Sequence, residues 1–368
     1  MSAVLTIDLD AIGANWRLLR GRLAGVPCAA VVKADAYGLG LTRVAPALAA
    51  AGCDTFFVAQ LQEGVALRAL LPKATIGILA APVAGFEADY AASRLLPVLN
   101  GLGDVEAWGR FARDRAAPPA ILQLDTGMCR LGLSPAEVGA IASDPDLLAG
   151  IRPAWVMSHL ACADEPEHPQ NGEQLRRLRA ALRQLPPPFA TAPVTFANSS
   201  GIFLGPDWHF DLGRPGYALY GGNPLPGGPN PMRPVVGLEA RILHVRTIDR
   251  RESVGYGASA AVEPGTRLAT LAVGYADGWF RSFGGRGAVL VAGKPAPLVG
   301  RVSMDLIVID VTQTEPQPRP GDTAVLIGPG RDIDVAADEA GTIGYELLTA
   351  LGTRYVRAYA GTGGATRV

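Results

Sequence analysis

Fourteen residues, 221–234, divide this chain into two kinds of sequence. Before them, short apolar runs at 27–32, 55–59, 75–80, 95–98, 120–124, 153–158, 193–196 and 209–213 alternate with amphipathic or Ala-rich stretches such as 43–51, 60–70, 102–115, 134–143 and 171–184. Strands separated by helices form parallel βαβ units, and about eight of them predict a closed (β/α)8, TIM-like barrel. The dividing stretch, Gly-Gly-Asn-Pro-Leu-Pro-Gly-Gly-Pro-Asn-Pro-Met-Arg-Pro, has Pro or Gly at seven of its first nine positions. Such a segment sustains neither a helix nor a central strand. Beyond it the pattern is strands and turns, at 235–249, 267–273, 286–291, 298–311 and 323–327. The expectation is an α/β protein with a barrel domain at 1–231 and a mainly β C-terminal domain at 232–368.

With 368 residues, 49% of them hydrophobic, the chain can bury two cores. A formal charge of −1 gives no basis for nucleic acid or an anionic membrane as partner. Cys28, Cys53, Cys129 and Cys162 form no CxxC and no Cys/His cluster at metal spacing. They read as reduced, mostly buried thiols, with no metal site. The first ten residues include Asp8 and Asp10 and do not form a signal peptide. No apolar run reaches the ~18–20 residues that cross a bilayer. A soluble, cytoplasmic protein is expected.

Of the thirty-three Lys and Arg residues only Lys33, Lys73 and Lys294 are lysines. Arginine keeps its proton, so few amines here can become neutral nucleophiles or bases. Lys73 follows a proline and Lys294 sits in a Gly-Lys-Pro turn, both read as solvated charges. Lys33 instead ends the apolar run 29–32, at the carboxyl end of a strand, where barrels carry reactive groups. Further candidates fall at or after strand ends: Tyr37, Arg130 in Asp125-Thr-Gly-Met-Cys-Arg-Leu-Gly, His159, Ser199 in Asn-Ser-Ser, and Arg214-Pro-Gly216. Ser199 and Gly216 follow late strands, where barrels bind phosphate through backbone amides. The second domain contributes Tyr256 between glycines, Tyr275, Met304 and Tyr345. The Gly-rich pieces 37–40 and 255–257 do not complete GxGxxG, so no dinucleotide site is expected.

Nine motifs in order, VVKADAYGLG, LDTGMCRLG, SHLACADE, ANSSG, RPGYALYG, VGYG, GYADG, GRVSMDL and IGYELL, resemble those of alanine racemases, fold-type III pyridoxal-phosphate (PLP) enzymes. The resemblance spans essentially the whole chain. It implies that Lys33 carries PLP as a Schiff base and is the acid/base on one substrate face. Tyr256, from the other subunit of a homodimer, would be the opposite base. Arg214 would donate to the pyridine nitrogen, with His159 contacting Arg214. Tyr37, Ser199, Gly216, Tyr217 through its backbone, and Tyr345 would hold the phosphate. Arg130 would approach the cofactor's phenolic oxygen and the substrate carboxylate, whose site the Met304 amide completes. Tyr275 and Tyr345 would narrow the entrance.

Racemisation removes the Cα proton on one face and returns one on the other, so two acid/bases must flank a planar carbanion. Free lysine and tyrosine titrate near ~10.4 and ~10, so both need desolvation or cationic neighbours. An arginine facing the pyridine nitrogen cannot hand over its proton. The ring then stays a weaker electron sink, which favours reprotonation over side reactions. Gln123 stands where many members carry a carbamylated lysine. Its amide oxygen is expected to accept one Arg130 N–H. The implied activity is interconversion of L- and D-alanine, supplying D-alanine for peptidoglycan. A broader-specificity or serine-type racemase is the nearest rival. A fold-type III decarboxylase and a single-domain PLP carrier are the others, and Tyr256 and Met304 argue against the carrier.

Overall fold

The computed structural model describes residues 3–113, 115–361 and 366–367. Strand β1 (Ala3–Asp8) leads into the helix Leu9–Arg22, whose first turn is capped by Asp8 accepting the Ala11 N–H at 2.8 Å. The barrel strands follow: β2 (Ala30–Val31), β3 (Thr55–Val58), β4 (Thr75–Ile78), β5 (Leu96–Leu99), β6 (Ala120–Gln123), β7 (Pro153–Met157) and β8 (Val194–Thr195). They pair in chain order and all in parallel. The eighth strand expected at 209–213 does not form as a regular strand; residues 211–215 close the ring through scattered backbone hydrogen bonds. On one side Ala29 N–H donates to Gly213 O and Val31 N–H to Pro215 O, both at 2.9 Å. On the other, Asp211 N–H donates to Val194 O at 2.9 Å and Arg214 N–H to Ala197 O at 2.8 Å. Pro215 lacks an N–H and Gly213 packs its Cα against Leu23, so pairing here is irregular.

All four residues of β3, β5 and β6 are buried, as expected for strands covered by helices outside and side chains within. The helices lie at Leu41–Ala51, Leu61–Leu70, Glu87–Ala92, Leu102–Arg113, Pro135–Ser143 and Pro169–Leu182. Local chemistry sets their starts. Pro135 occupies a first helical position, and Ser134 N–H donates to Glu137 at 2.8 Å while Glu137 N–H donates to Ser134 Oγ at 3.3 Å.

After 234 the sheet is built around β9 (Val236–Thr247), whose alternating burial marks one covered face. A hairpin of β10 (Glu252–Val254) and β11 (Ala260–Val262) stands off from it. Then come β12 (Arg267–Leu271), β13 (Ala288–Val291), β14 (Lys294–Pro297), β15 (Ile307–Asp310), β16 (Thr323–Ile327), β17 (Val356–Ala360) and β18 (Thr366–Arg367). Strand β9 pairs with β1, β12 and β16, all antiparallel. Strand β1 therefore belongs to the second sheet, antiparallel to β9 and parallel to β17, although it begins the chain. Its burial alternates, so one face is core and the other is not. The run expected at 298–311 is shorter: only 307–310 pairs with β12, and Leu298 makes a single bridge to Ile309. Between them Ser303 Oγ donates to Leu306 O at 2.6 Å and turns the chain away from the sheet.

Most of the core is continuous through both sheets. A separate small cluster, Ile248, Val254, Val262 and Leu268, anchors the β10–β11 hairpin. The four cysteines are unpaired; Cys28 and Cys53 are buried and Cys129 is exposed. Among the described residues no helix is long and apolar enough to cross a membrane.

Candidate active site

The carboxyl ends of the barrel strands open into a cavity of about 710 Å³. Lys33, Tyr37, Gln123, Arg130, His159, Ser199, Arg214, Gly216, Tyr217 and Tyr345 all line it. Those ten residues come from six separate stretches of chain, so the fold, and no local motif, assembles the site.

Lys33 is followed by four residues in the left-handed helical region: Ala34, Asp35, Ala36 and Tyr37 have φ of 53°, 54°, 55° and 56°. None is glycine, and left-handed backbone costs about 1–2 kcal/mol per such residue. The turn is held by Ala34 N–H donating to Glu63 at 2.6 Å, Gly38 N–H to Ala34 O at 2.7 Å, and Leu41 N–H to Asp35 at 2.7 Å. It directs Tyr37 inward, where the ring packs against Tyr220 at 4.6 Å and Tyr345 at 6.2 Å. Desolvation, then the Arg130 charge, lowers the Lys33 pKa, and Glu63 opposes both. Burial pushes the Tyr37 hydroxyl up, so it serves as a neutral hydrogen-bonding group.

Arg214 is buried, and its hydrogen-bond partners are all neutral: Thr195 Oγ1, Ser158 O at 2.8 Å and His159 Nδ1 at 3.4 Å. Desolvation lowers its pKa to about 9. Burial, then Arg214, Arg130 and Lys33, depresses His159 to about 3, so its ring is neutral and Nδ1 accepts from Arg214. Nearby, Ser199 Oγ accepts the N–H groups of Gly216 at 3.0 Å and Ala218 at 3.2 Å. A Cβ on Gly216 would overlap Tyr37 Oη, so only glycine leaves room at this cradle. A buried arginine with neutral partners beside backbone amides, a tyrosine hydroxyl and an amine of lowered pKa suits a planar, nitrogenous, phosphorylated aldehyde. The residues present fit PLP.

The comparisons with known proteins agree with this geometry. The family profile "Alanine racemase, N-terminal domain" matches residues 7–224, and "Alanine racemase, C-terminal domain" matches residues 235–359. The chain belongs to the alanine racemase family. It is 52% identical to an alanine racemase of Rhodospirillum rubrum over 98% of this chain and 96% of that one. It is 50% identical to an alanine racemase of Acidiphilium cryptum over 96% of this chain and 97% of that one. Among solved structures it resembles alanine racemase from Bartonella henselae with covalently bound pyridoxal phosphate, at 42% identity and a TM-score of 0.94, covering 98% and 100% of the two chains. Like the family, the chain is a racemase, hence an isomerase.

Three residues that the family resemblance assigns to the site lie outside this cavity. Tyr256 sits on the hairpin tip between Gly255 (φ 74°) and Gly257 (φ 71°) and is 74% exposed. Met304 is 54% exposed, and Tyr275, which was expected at the entrance, is also exposed. Tyr275 N–H donates to Ser303 O at 3.0 Å and Ala276 N–H to Met304 O at 3.0 Å, so backbone hydrogen bonds join these two loops.

Gln123 corrects one expectation. It is buried, but its side chain donates to Leu131 O at 3.2 Å, and no Gln123–Arg130 hydrogen bond is present among the described residues. It fixes the backbone beside Arg130 and leaves the guanidinium free. Sequence reading passed over Glu63, Thr195 and Asp334. Asp334 accepts from Tyr217 Oη at 2.6 Å and from Asn223 N–H at 2.8 Å, tying the segment 217–223 to the second domain. Tyr217 also stacks on Tyr345 with ring centroids 3.9 Å apart. Only Glu63 had a signal, the Gln60-x-x-Glu63 spacing of a capping box.

Proposed function

We propose that the chain is a PLP-dependent, two-base racemase interconverting L- and D-alanine, cytoplasmic, acting as a homodimer and supplying D-alanine for peptidoglycan. The observation that carries the reading is Lys33: the one lysine of three that lines the cavity at the carboxyl ends of the barrel strands, with its amine pushed toward neutrality beside Arg130 and a neutral-partnered Arg214.

In this reading Lys33 would hold the cofactor covalently through Nζ. Arg214 would donate to the ring nitrogen, with His159 and Ser158 O fixing the guanidinium plane. Ser199, Tyr37 and Tyr345 and the backbone at Gly216 and Tyr217 would take the phosphate. The chemistry supplied on binding would be an electron sink that acidifies the substrate Cα–H. Arg130, exposed on the cavity rim, binds and orients the substrate carboxylate by charge-assisted hydrogen bonds. Lys33 Nζ takes or returns the proton on one face. Its lowered pKa brings the neutral and charged forms closer in population, which a group that must act in both directions requires. Tyr256 Oη performs the same task on the opposite face. It is exposed and does not line the cavity of its own chain, so in this reading it would enter a second copy's cavity, with the Met304 amide beside the carboxylate. Tyr217 and Tyr345, stacked, would exclude water from the phosphate side.

The test incubates purified enzyme with L-alanine and follows chirality, pyruvate and carbon dioxide together. D-alanine formation alone is expected. Carbon dioxide would replace the reading with a decarboxylase, and pyruvate with a transaminase. A panel including serine, read by chiral chromatography, separates an alanine enzyme from a broad-specificity one. Borohydride should fix the cofactor to Lys33, and a label on Lys73 or Lys294 would overturn the assignment.

A further inference from the structure

Glu63 lies at the start of the helix Leu61–Leu70 and is not among the residues that line the cavity. Its carboxylate nevertheless gathers three peptide N–H groups from two segments: Ala34 at 2.6 Å through one oxygen, and Ala59 at 2.8 Å and Gln60 at 3.0 Å through the other. The Gln60 contact is half of an ordinary capping box. The other two are not explained by capping. Ala59 directly follows β3 and lines the cavity, and Ala34 is the first left-handed residue after Lys33. A left-handed turn of four non-glycine residues does not persist on propensity alone. Glu63 meets the turn at the peptide where the chain leaves strand β2 geometry, one bond from the Lys33 carbonyl.

We propose that Glu63 is the positioning residue for Lys33, clamping the left-handed turn onto strand β3 so that Nζ points into the cavity, and supplying the negative charge that offsets Arg130 at the amine. This rests on Lys33 being the catalytic amine.

The electrostatic half follows from the groups facing Lys33. Arg130 approaches from the loop after β6, His159 from the end of β7, Arg214 from the closing segment and Tyr37 from the same turn. Two of these are cations, and His159 and Tyr37 are neutral. Glu63 is the carboxylate whose charge raises the Lys33 pKa, against desolvation and Arg130. Without it the amine would be more weakly basic. A carboxylate at this point is worth more than an amide for two reasons. Both its oxygens accept, so three donors can converge on it, and charge-assisted bonds are about twice as strong as neutral ones.

The test uses the cofactor-loaded full chain. Borohydride mapping of the three lysines in wild type comes first; a label elsewhere than Lys33 would sink the function reading and this one with it. With Lys33 labelled, Glu63→Gln tests the charge. In the direction where Lys33 removes the proton, kcat falls at low pH as the amine protonates. Loss of the nearby negative charge should move that acid limb downward by on the order of one pH unit. The visible absorption band of the bound cofactor should titrate at a displaced pH in the same variant. Glu63→Ala tests position: kcat should fall roughly ten- to hundredfold with KM within about twofold, because a misaimed base affects the step and not binding. If Glu63→Ala does not fold, the Glu63→Gln profile and band still decide. A lower melting temperature with the acid limb and band unmoved in Glu63→Gln would reduce Glu63 to a helix cap and overturn the proposal.

Discussion

Acid should destabilise this protein through His159, and the size of the effect can be worked out. The ring is held at about 3 against an ordinary value of 6.5, chiefly by burial and then by Arg214. The sign follows from linkage. Below pH 6.5 the unfolded chain binds a proton at this residue and the folded chain does not, so stability is full above the unfolded value and is lost as pH falls. One proton is worth about 1.4 kcal/mol per pH unit over that window. Between about pH 7 and about pH 4.5 the loss comes to about 2.5 kcal/mol. Partial solvent exposure of the half-buried ring trims this to about 2 kcal/mol. The perturbation is His159→Asn, whose amide oxygen can still accept from Arg214 where Nδ1 did, but which does not titrate. Urea unfolding of wild type and variant is compared at both pH values with cofactor and protein concentrations fixed. His168, His209 and His244 are common to both and cancel. Wild type should lose about 2 kcal/mol more than His159→Asn on acidification. Equal losses would mean that His159 protonates in the folded state, and the account of a neutral ring accepting from Arg214 would fail.

Tyr256→Phe should retain cofactor yet slow racemisation in both directions by roughly 10²–10⁴-fold, as for a lost general acid/base. Mixing it with Lys33→Ala subunits should restore one intact site per heterodimer, and confirmed heterodimers without activity would exclude sharing in trans. Gly216→Ala places a methyl against Tyr37 Oη, and at about 1–3 kcal/mol of overpacking should weaken cofactor binding at least about fivefold in an absorbance titration; unchanged affinity would remove Tyr37 and Gly216 from the phosphate cradle. Gln123→Ala frees the Leu131 carbonyl and should raise KM about fivefold, the equivalent of one hydrogen bond, with kcat held. Activity should be insensitive to bicarbonate, and a carbamyl mass increment controlling the rate would refute that.

Much of this was legible in the sequence because barrel strands are buried on both sides. Runs such as Thr55–Val58 and Leu96–Leu99 then stand out from the polar helices between them. Strand β1 was not legible: its six residues are half-buried, and its partners β9 and β17 lie more than two hundred residues away. The closing segment was expected as a strand but its proline and glycine make it irregular. At the site, reading by family order located every cavity-lining candidate. It could not locate contacts that depend on backbone hydrogen bonds alone. Ala34-Asp35-Ala36-Tyr37 contains no glycine to mark a left-handed turn, and Glu63 looks like an ordinary helix cap. Gln123 was seen as a substitute for an anion because composition shows residue type and not direction. Its amide turns toward Leu131, so the guanidinium it was expected to hold is free for an anion.

The second domain supports the case for a shared site by what it leaves uncovered. The hairpin tip carries Tyr256 at 74% exposure on a base anchored by its own small core, Ile248, Val254, Val262 and Leu268. Met304, Leu306 and Tyr275 are exposed as well. A stiff support under an exposed tyrosine favours presentation, since a hairpin needing only to shed water would not display its largest apolar group. The barrel cavity holds the Lys33 amine, while His159, which also lines it, is held neutral far below the working range. In the proposed dimer a second copy would supply Tyr256 as the opposite base. If one hairpin fills the partner's cavity, two-fold symmetry requires that the partner's hairpin fill the first, so the contact closes after two copies. Dilution should then cost activity before it costs cofactor, because Lys33, Arg214 and the Ser199 cradle are complete within one chain while Tyr256 is not.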